Sequence, residues 1–232
     1  MKFFKKLIRR IVVAFLASTI LSVVALRFIP VWVTPLMVIR CCQQIKEGKE
    51  LRLSHNWVPL SQMSTHLPFA VMGGEDANFL NHHGFDFKAI ESAAKRNLQH
   101  PEKRKLGAST ITQQTAKNVF LWPGRSWVRK GFEVYFTVLI ELMWSKERIM
   151  EVYLNSIETG DGIYGVEAIS RDNWGLRASQ LSREQCALIA ATLPNPRKFS
   201  SKHPSAYIQK RQKRIIREMN YIEKHADSKF NQ

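Results

Sequence analysis

Five basic residues, Lys2, Lys5, Lys6, Arg9 and Arg10, open the chain with no acid among them, and sixteen uncharged residues, Ile11 to Leu26, follow. This feature constrains the chain most, because a run so apolar must either be buried in a core or be covered by lipid. A membrane span needs roughly 20 mostly apolar residues. Sixteen is slightly short, but Arg27 stands at the end of the run, where a long side chain reaches back to the head groups. Apolar character then resumes from Phe28 to Ile39, with Pro30 and Pro35 inside it. The competing reading is a cleaved signal peptide, with Val23-Val24-Ala25 as a passable site. The run is long for a signal and continues past that site, which favours an uncleaved anchor. The basic start predicts a cytoplasmic N-terminus, with the body on the other side of the membrane. The expected division is a basic stub and anchor over 1–40 and one domain over 41–232.

The net charge of +16 is uneven. Residues 1–40 hold seven basic residues and no acid, and residues 197–232 hold ten basic and three acidic. The middle, 41–196, holds eighteen and sixteen. Charge at both ends with balance between does not make one continuous nucleic-acid face, so no nucleic-acid partner is expected. It fits two regions near an anionic membrane surface, although for the tail a solvated helix face explains the charge equally well. Cys41, Cys42 and Cys186 are too few for a disulfide framework and lack metal spacing, so free thiols are expected.

Past the anchor the pattern is helical almost throughout, without repeats or a run of alternating strands. Phe87 to Gln99 reads as a helix, and 99–108 as a basic loop. Ser109 is the expected N-cap of a helix over about 110–120, which Pro123 and Gly124 break. A strongly apolar helix follows over Arg129 to Trp144. Ser145 caps the next, through Tyr153. A glycine-rich connection spans 160–165. Ser182 and Gln185 form a capping box. The last helix starts at Pro204, with Ile208, Ile215, Met219 and Ile222 as its apolar stripe and lysines and arginines opposite. The fold class is mainly α.

Three places could carry chemistry. In GGEDANFLNHHGFD, 73–86, an apolar run ends in two glycines and then Glu75-Asp76. Taken alone, a polar helix terminus explains it. On the helix after Ser109, Thr110, Gln113, Gln114 and Lys117 share one face, suited to polar ligand groups or simply wet. In GFEVYFTVLIELMW the polar residues Glu133, Thr137 and Glu141 step by four along an apolar helix. A carboxylate there needs a partner or an upward pKa shift; Arg129 and Lys130, one turn earlier, are natural partners. From Ser92 to Phe132 there are nine lysines and arginines and one acid, Glu102. Two carboxylates thus bracket a basic segment. Paired carboxylates suit chemistry at an anomeric carbon, and a basic wall suits a departing diphosphate. With an anchor, that points to a lipid-linked sugar diphosphate.

Other signals carry less. SAAK, 92–95, has the S-x-x-K form of transpeptidases without its companion motifs. GDGIYG, 160–165, follows a helix rather than a strand, against a dinucleotide site. His82 and His83 lack the further ligands a zinc site requires; His82 reads as a hydrogen-bonding strut of the loop and His83 as solvent-facing.

In order, EDANFLNHHG (75–84), GASTITQQTAKN (107–118), RKGFE (129–133), KERIMEVYLN (146–155) and GDGIYGVEA (160–168) resemble the five motifs of the monofunctional biosynthetic peptidoglycan transglycosylases, glycosyltransferase family 51. The resemblance covers about Pro59 to Pro196. It implies a lysozyme-like α domain with a mobile segment near 97–108 and a partly membrane-embedded lobe, which polymerises lipid II into glycan strands. By resemblance Glu75 is the base that activates the acceptor 4-hydroxyl, and Glu133 the second active-site carboxylate. Asp76 is an orienting neighbour. Lys117, Arg129 and Lys130 meet the donor diphosphate, and Ser109, Thr110, Gln113 and Gln114 line the same cleft. The implied partners are lipid II, the nascent strand, the membrane, and cell-wall synthesis and division proteins. The implied location is a bacterial inner membrane with the domain in the periplasm. A divalent cation, Mg or Mn, assists some members, but no metal motif is present here. A glycan-cleaving lysozyme-like enzyme and a non-catalytic scaffold are the alternatives. Two departures stand out: Gly73-Gly74 before E-D, and ISRDNWG (169–175) in place of alanines and an aromatic pair.

Overall fold

The computed structural model describes residues 2–103, 105–124 and 126–225. Its described helices are α1 (Lys2–Leu26), α2 (Pro35–Lys46), α3 (His66–Glu75), α4 (Phe87–Gln99), α5 (Ile111–Phe120), α6 (Trp127–Met143), α7 (Lys146–Ser156), α8 (Val166–Trp174), α9 (Arg183–Thr192) and α10 (Ala206–His225). The chain is mainly α, as its periodicity requires.

Side-chain caps set most of the helix starts. Asp86, Ser126, Ser145 and Ser182 each accept a backbone N–H from the first turn, and Ser182 with Gln185 closes the expected capping box. Such a cap contributes about 1 kcal/mol. The cap of α5 is Thr110, not Ser109: Thr110 Oγ1 accepts from the Gln113 amide while Gln113 Oε1 accepts from the Thr110 amide. Either hydroxyl residue could serve by type. Thr110 takes the role because its own hydroxyl also donates to the Gly84 carbonyl at 2.7 Å, a contact remote in sequence.

A small sheet escapes the sequence reading. β1 (Ser54–His55), β2 (Glu158–Gly160) and β3 (Ile163–Tyr164) associate in the order β1-β3-β2, with β1 parallel to β3 and β2 antiparallel to it. The glycine-rich connection is therefore a hairpin. Pairings two residues long carry no alternation to detect, so sequence periodicity is silent about them.

Most of the described buried hydrophobic residues form one continuous cluster, and Leu36, Met37 and Tyr164 form a small separate one. α3 is buried from Leu67 to Met72 and packs against both α9 and α10, which also pack on each other, while α5 packs on α6 and α7. The two glycines before Glu75 find their reason here. A Cβ at Gly73 would stand 3.0 Å from Glu218 Cβ and 3.3 Å from the Ile215 carbonyl oxygen. One at Gly74 would meet Ile215 Cδ1 at 3.4 Å and Ala190 Cβ at 3.5 Å. The missing side chains let α9 and α10 close on the end of α3, and α10 does so with the expected stripe Ile208, Ile215, Met219 and Ile222. The departure at 169–175 is accommodated by polar ties: Arg171 pairs with Glu167, Arg52 with Asp172, and Asn173 with Ser201.

α1 is one helix long and apolar enough to cross a membrane, with mean hydropathy 2.0 over its apolar window, and it is largely exposed. Thr19 returns its hydroxyl to the Phe15 carbonyl at 2.9 Å, as a polar side chain does without water. The C-terminal end of α1 is tied to the body. Trp144 Nε1 donates to the Val23 carbonyl at 2.8 Å, Arg148 donates to the Leu26 carbonyl, and Thr19 bonds Tyr135 at 2.8 Å. The boundary expected at residue 40 falls inside α2, which starts at Pro35 behind the Thr34 cap.

Candidate active site

Glu75 is the last residue of α3 and Asp76 its C-cap. The bulk of the site follows from these two adjacent acids pointing to different partners. Asp76 is 7% exposed and turns inward. It accepts the Ile111 amide at 3.0 Å and His82 Nε2 at 3.0 Å. A carboxylate at a helix N-terminus is favoured by the free amides and the dipole there. Asp76 thus pins the start of α5 to the end of α3, with His82 as the strut and His83 exposed.

This pin decides what α5 presents to Glu75. Gln114 Nε2 donates to Glu75 Oε2 at 3.0 Å, and Gln114 is oriented by the Tyr153 hydroxyl, which donates to its Oε1 at 3.2 Å. The other Glu75 oxygen accepts Arg211 Nη2 at 3.1 Å; the same nitrogen donates to the Gly74 carbonyl at 3.0 Å. Burial raises the Glu75 pKa above its ordinary value, and Gln114, Arg211 and Lys117 oppose that rise. The sequence reading puts Arg211 on the basic outer face of the last helix. It lies instead at the border of the apolar stripe, three residues after Ile208 and four before Ile215, which is the sequence signal that would have turned it inward. Tyr153 carries no sequence signal beyond its motif.

Glu133 is 3% exposed on α6 and is held by Arg129 at 2.7 Å and Lys130 at 2.5 Å. The expected partners are its partners. Breaking such a pair from one side leaves a buried charge unmatched, which is costly. Its neighbours in the stripe serve the helix: Thr137 donates to the Glu133 carbonyl, and Glu141 accepts from Thr112 and Lys146. Lys117, one turn after Gln114, has its pKa lowered chiefly by burial, while Glu133 and Glu75 support its charge.

Two clefts lie on either side of the Glu75–Gln114 hydrogen bond. One, of about 360 Å³, is lined by Gln114, Lys117 and Arg129 together with Arg40 and Glu158. The other, of about 380 Å³, is lined by Glu75, Asp76, Ser109 and Thr110. The Glu75–Gln114 hydrogen bond joins a residue of each. Sequence reasoning groups Thr110, Gln113, Gln114 and Lys117 on one face. The structure gives Gln114 and Lys117 to the first cleft and Thr110 to the second. Gln113 is 4% exposed and spends its side-chain oxygen on the capping box. Lys130 borders a separate shallow pocket with Arg129 and Trp127.

The transglycosylase family model matches residues 43–220, well over half of the chain. The chain belongs to the transglycosylase family. Relatives in this family agree across nearly the whole chain. A biosynthetic peptidoglycan transglycosylase of Bacteroides thetaiotaomicron is 61% identical over 216 residues, covering 93% of this chain and 86% of that protein. One of Bdellovibrio bacteriovorus is 53% identical, covering 91% and 84%. One of Caulobacter vibrioides is 48% identical, covering 92% of each.

Proposed function

We propose that this chain is a peptidoglycan glycosyltransferase that polymerises lipid II by inverting transfer. The observation that carries this reading is the position of Glu75, a largely buried carboxylate that lines one cleft and is hydrogen-bonded to Gln114 of a second cleft, which also holds Lys117 and Arg129. The growing strand, α-linked to a lipid diphosphate, is the donor. The 4-hydroxyl of lipid II is the acceptor. Glu75 takes the hydroxyl proton as the oxygen attacks the anomeric carbon, the bond to the diphosphate breaks, and a β linkage forms. Lys117 and Arg129 stabilise the charge that builds on the leaving diphosphate. Glu133 holds Arg129 and Lys130 in place for that task. A raised Glu75 pKa brings the base closer to the working pH, where general-base efficiency is greatest.

Among the described residues no group of three metal-ligating side chains is present, and both site carboxylates are already engaged by cations. No step here runs through a metal ion.

The test is labelled lipid II with sizing of the products. Polymer supports the reading. The alternative, a glycan-cleaving enzyme, would instead release soluble fragments from purified sacculi; a hydrolase has no use for a cationic cleft beside its base.

Arg211 supplies a second test. Its charge favours the ionised form of Glu75. Removing it in Arg211→Ala should raise the Glu75 pKa further, so the acid limb of the kcat/KM profile moves to higher pH. An unmoved limb would separate Arg211 from the base.

We further propose that α1 spans the bacterial inner membrane once, with residues 41–225 in the periplasm. The basic N-terminus and the lipid-ready surface of α1 support this. The exposed Cys42 is the probe. A thiol reagent that does not cross membranes should label it in intact spheroplasts. Labelling only after lysis would reverse the orientation. Division and cell-wall synthesis proteins are proposed partners on the resemblance alone, and co-purification from crosslinked membranes would identify them.

A further inference from the structure

The cleft that holds Lys117 and Arg129 has a second, differently built end. Arg40, reaching in from α2, and Glu158, on β2, both line it and pair at 3.4 Å. Glu158 is 8% exposed. Although paired, each leaves a polar atom buried and without a hydrogen-bond partner: Arg40 Nε, a donor, and Glu158 Oε1, an acceptor. Tyr164, opposite Glu158 across the hairpin, leaves its buried hydroxyl unpartnered too. Buried polar atoms without partners are rare and costly in a folded protein. Three at one place, two of them on residues lining a cleft, mark a surface completed by a ligand.

The chemistry of the free atoms restricts that ligand. A phosphate accepts from Arg40 but would lie against the Glu158 oxygen. A group with one acceptor beside one donor fits both: the C=O accepts from Arg40 Nε and the N–H donates to Glu158 Oε1. Burial raises the Glu158 pKa, with Arg40 opposing the rise. We propose that Arg40 and Glu158 form a subsite for the acylamino group of the hexosamine next to the donor diphosphate. This rests on the glycosyl-transfer reading above. Lys117 and Arg129 take the diphosphate, and the pair reads the sugar beside it. Because Arg40 sits on α2, directly after the anchor, the subsite also makes the membrane-proximal helix part of substrate recognition.

The experiment compares the full chain with the double variant Arg40→Met/Glu158→Leu in the lipid II assay. Replacing a buried ion pair by hydrophobes of similar size is often neutral or stabilising, so a purely structural pair predicts unchanged Tm and unchanged KM. The subsite predicts unchanged Tm, a KM for lipid II raised about tenfold in the initiating coupling, where one lipid II molecule is itself the donor, through the loss of one charge-assisted hydrogen bond, and a kcat within about threefold. A lipid II analogue with hydroxyls in place of the acylamino groups should be used equally by both proteins. A folded double variant with wild-type KM overturns the subsite. If the double variant does not fold, Arg40→Lys, which removes the Nε donor but keeps a charge beside Glu158, decides by the same KM comparison. Failure of the wild type to polymerise lipid II would overturn the proposed function itself, whereas polymerisation with insensitive variants would overturn this inference alone.

Discussion

Glu75→Gln should abolish polymerisation of labelled lipid II, lowering the rate by at least about 100-fold, the lower end of what a general base contributes. The amide keeps the shape of the side chain and its oxygen can still accept from Gln114, but its NH2 then faces Arg211 and it cannot take the acceptor proton. Stability distinguishes this loss from unfolding. Burial raises the Glu75 pKa above its ordinary value of 4.5. The folded state therefore prefers the protonated acid, and wild-type stability falls as pH rises from about 4.5 through the folded pKa, the ionised group being the penalised form. The neutral amide of the variant carries no such penalty. The variant should remain folded at neutral pH, the removed burial penalty offsetting the lost Arg211 ion pair, and its Tm should lack the wild type's decline with rising pH. A folded Glu75→Gln protein that polymerises at the wild-type rate would end the assignment of Glu75 as the base.

Gly165→Ala should cost about 3–4 kcal/mol of stability, combining a backbone conformation close to glycine-only with forced overpacking. Gly165 has φ +81° and ψ 164°, and precedes the first turn of α8. A Cβ there would lie 2.6 Å from the Asn155 carbonyl oxygen, which is backbone and has little room to move. Asn155 is itself a junction. Its side chain bonds both the amide and the carbonyl of Val58, and its carbonyl bonds His55. Tyr153, two residues earlier, orients Gln114 against Glu75. The strain would therefore spread from the fifth motif toward the base. Against a typical total of about 5–15 kcal/mol, the shift should be plain in urea unfolding. A loss below about 1 kcal/mol would mean that the hairpin relaxes freely, contrary to the packing around it.

The local parts of the fold are legible before any coordinates. Ser145, Ser182 with Gln185, and the Phe87–Gln99 helix depend on residues within four positions of one another, as does the α10 stripe. The pairing of Glu133 with Arg129 and Lys130 is legible for the same reason. The strands are not, because Ser54 pairs with Ile163 far along the chain. Nor is the choice of Thr110 over Ser109, which depends on Gly84.

By itself the sequence determined the helical class, the apolar N-terminal helix, the family through its ordered motifs, and which side chains had chemistry to offer. Only the tertiary structure decided how those side chains divide their work. Asp76 and Glu75 are neighbours in sequence, yet one braces α5 internally and the other lines a cleft and bonds Gln114 of a second. Gly73 and Gly74 make sense only against α9 and α10, and Arg211 meets Glu75 across 136 positions. The physical reason is one of range. Helix periodicity and capping act over a turn, while burial, close packing and the charge state of a carboxylate depend on whatever the fold brings near it.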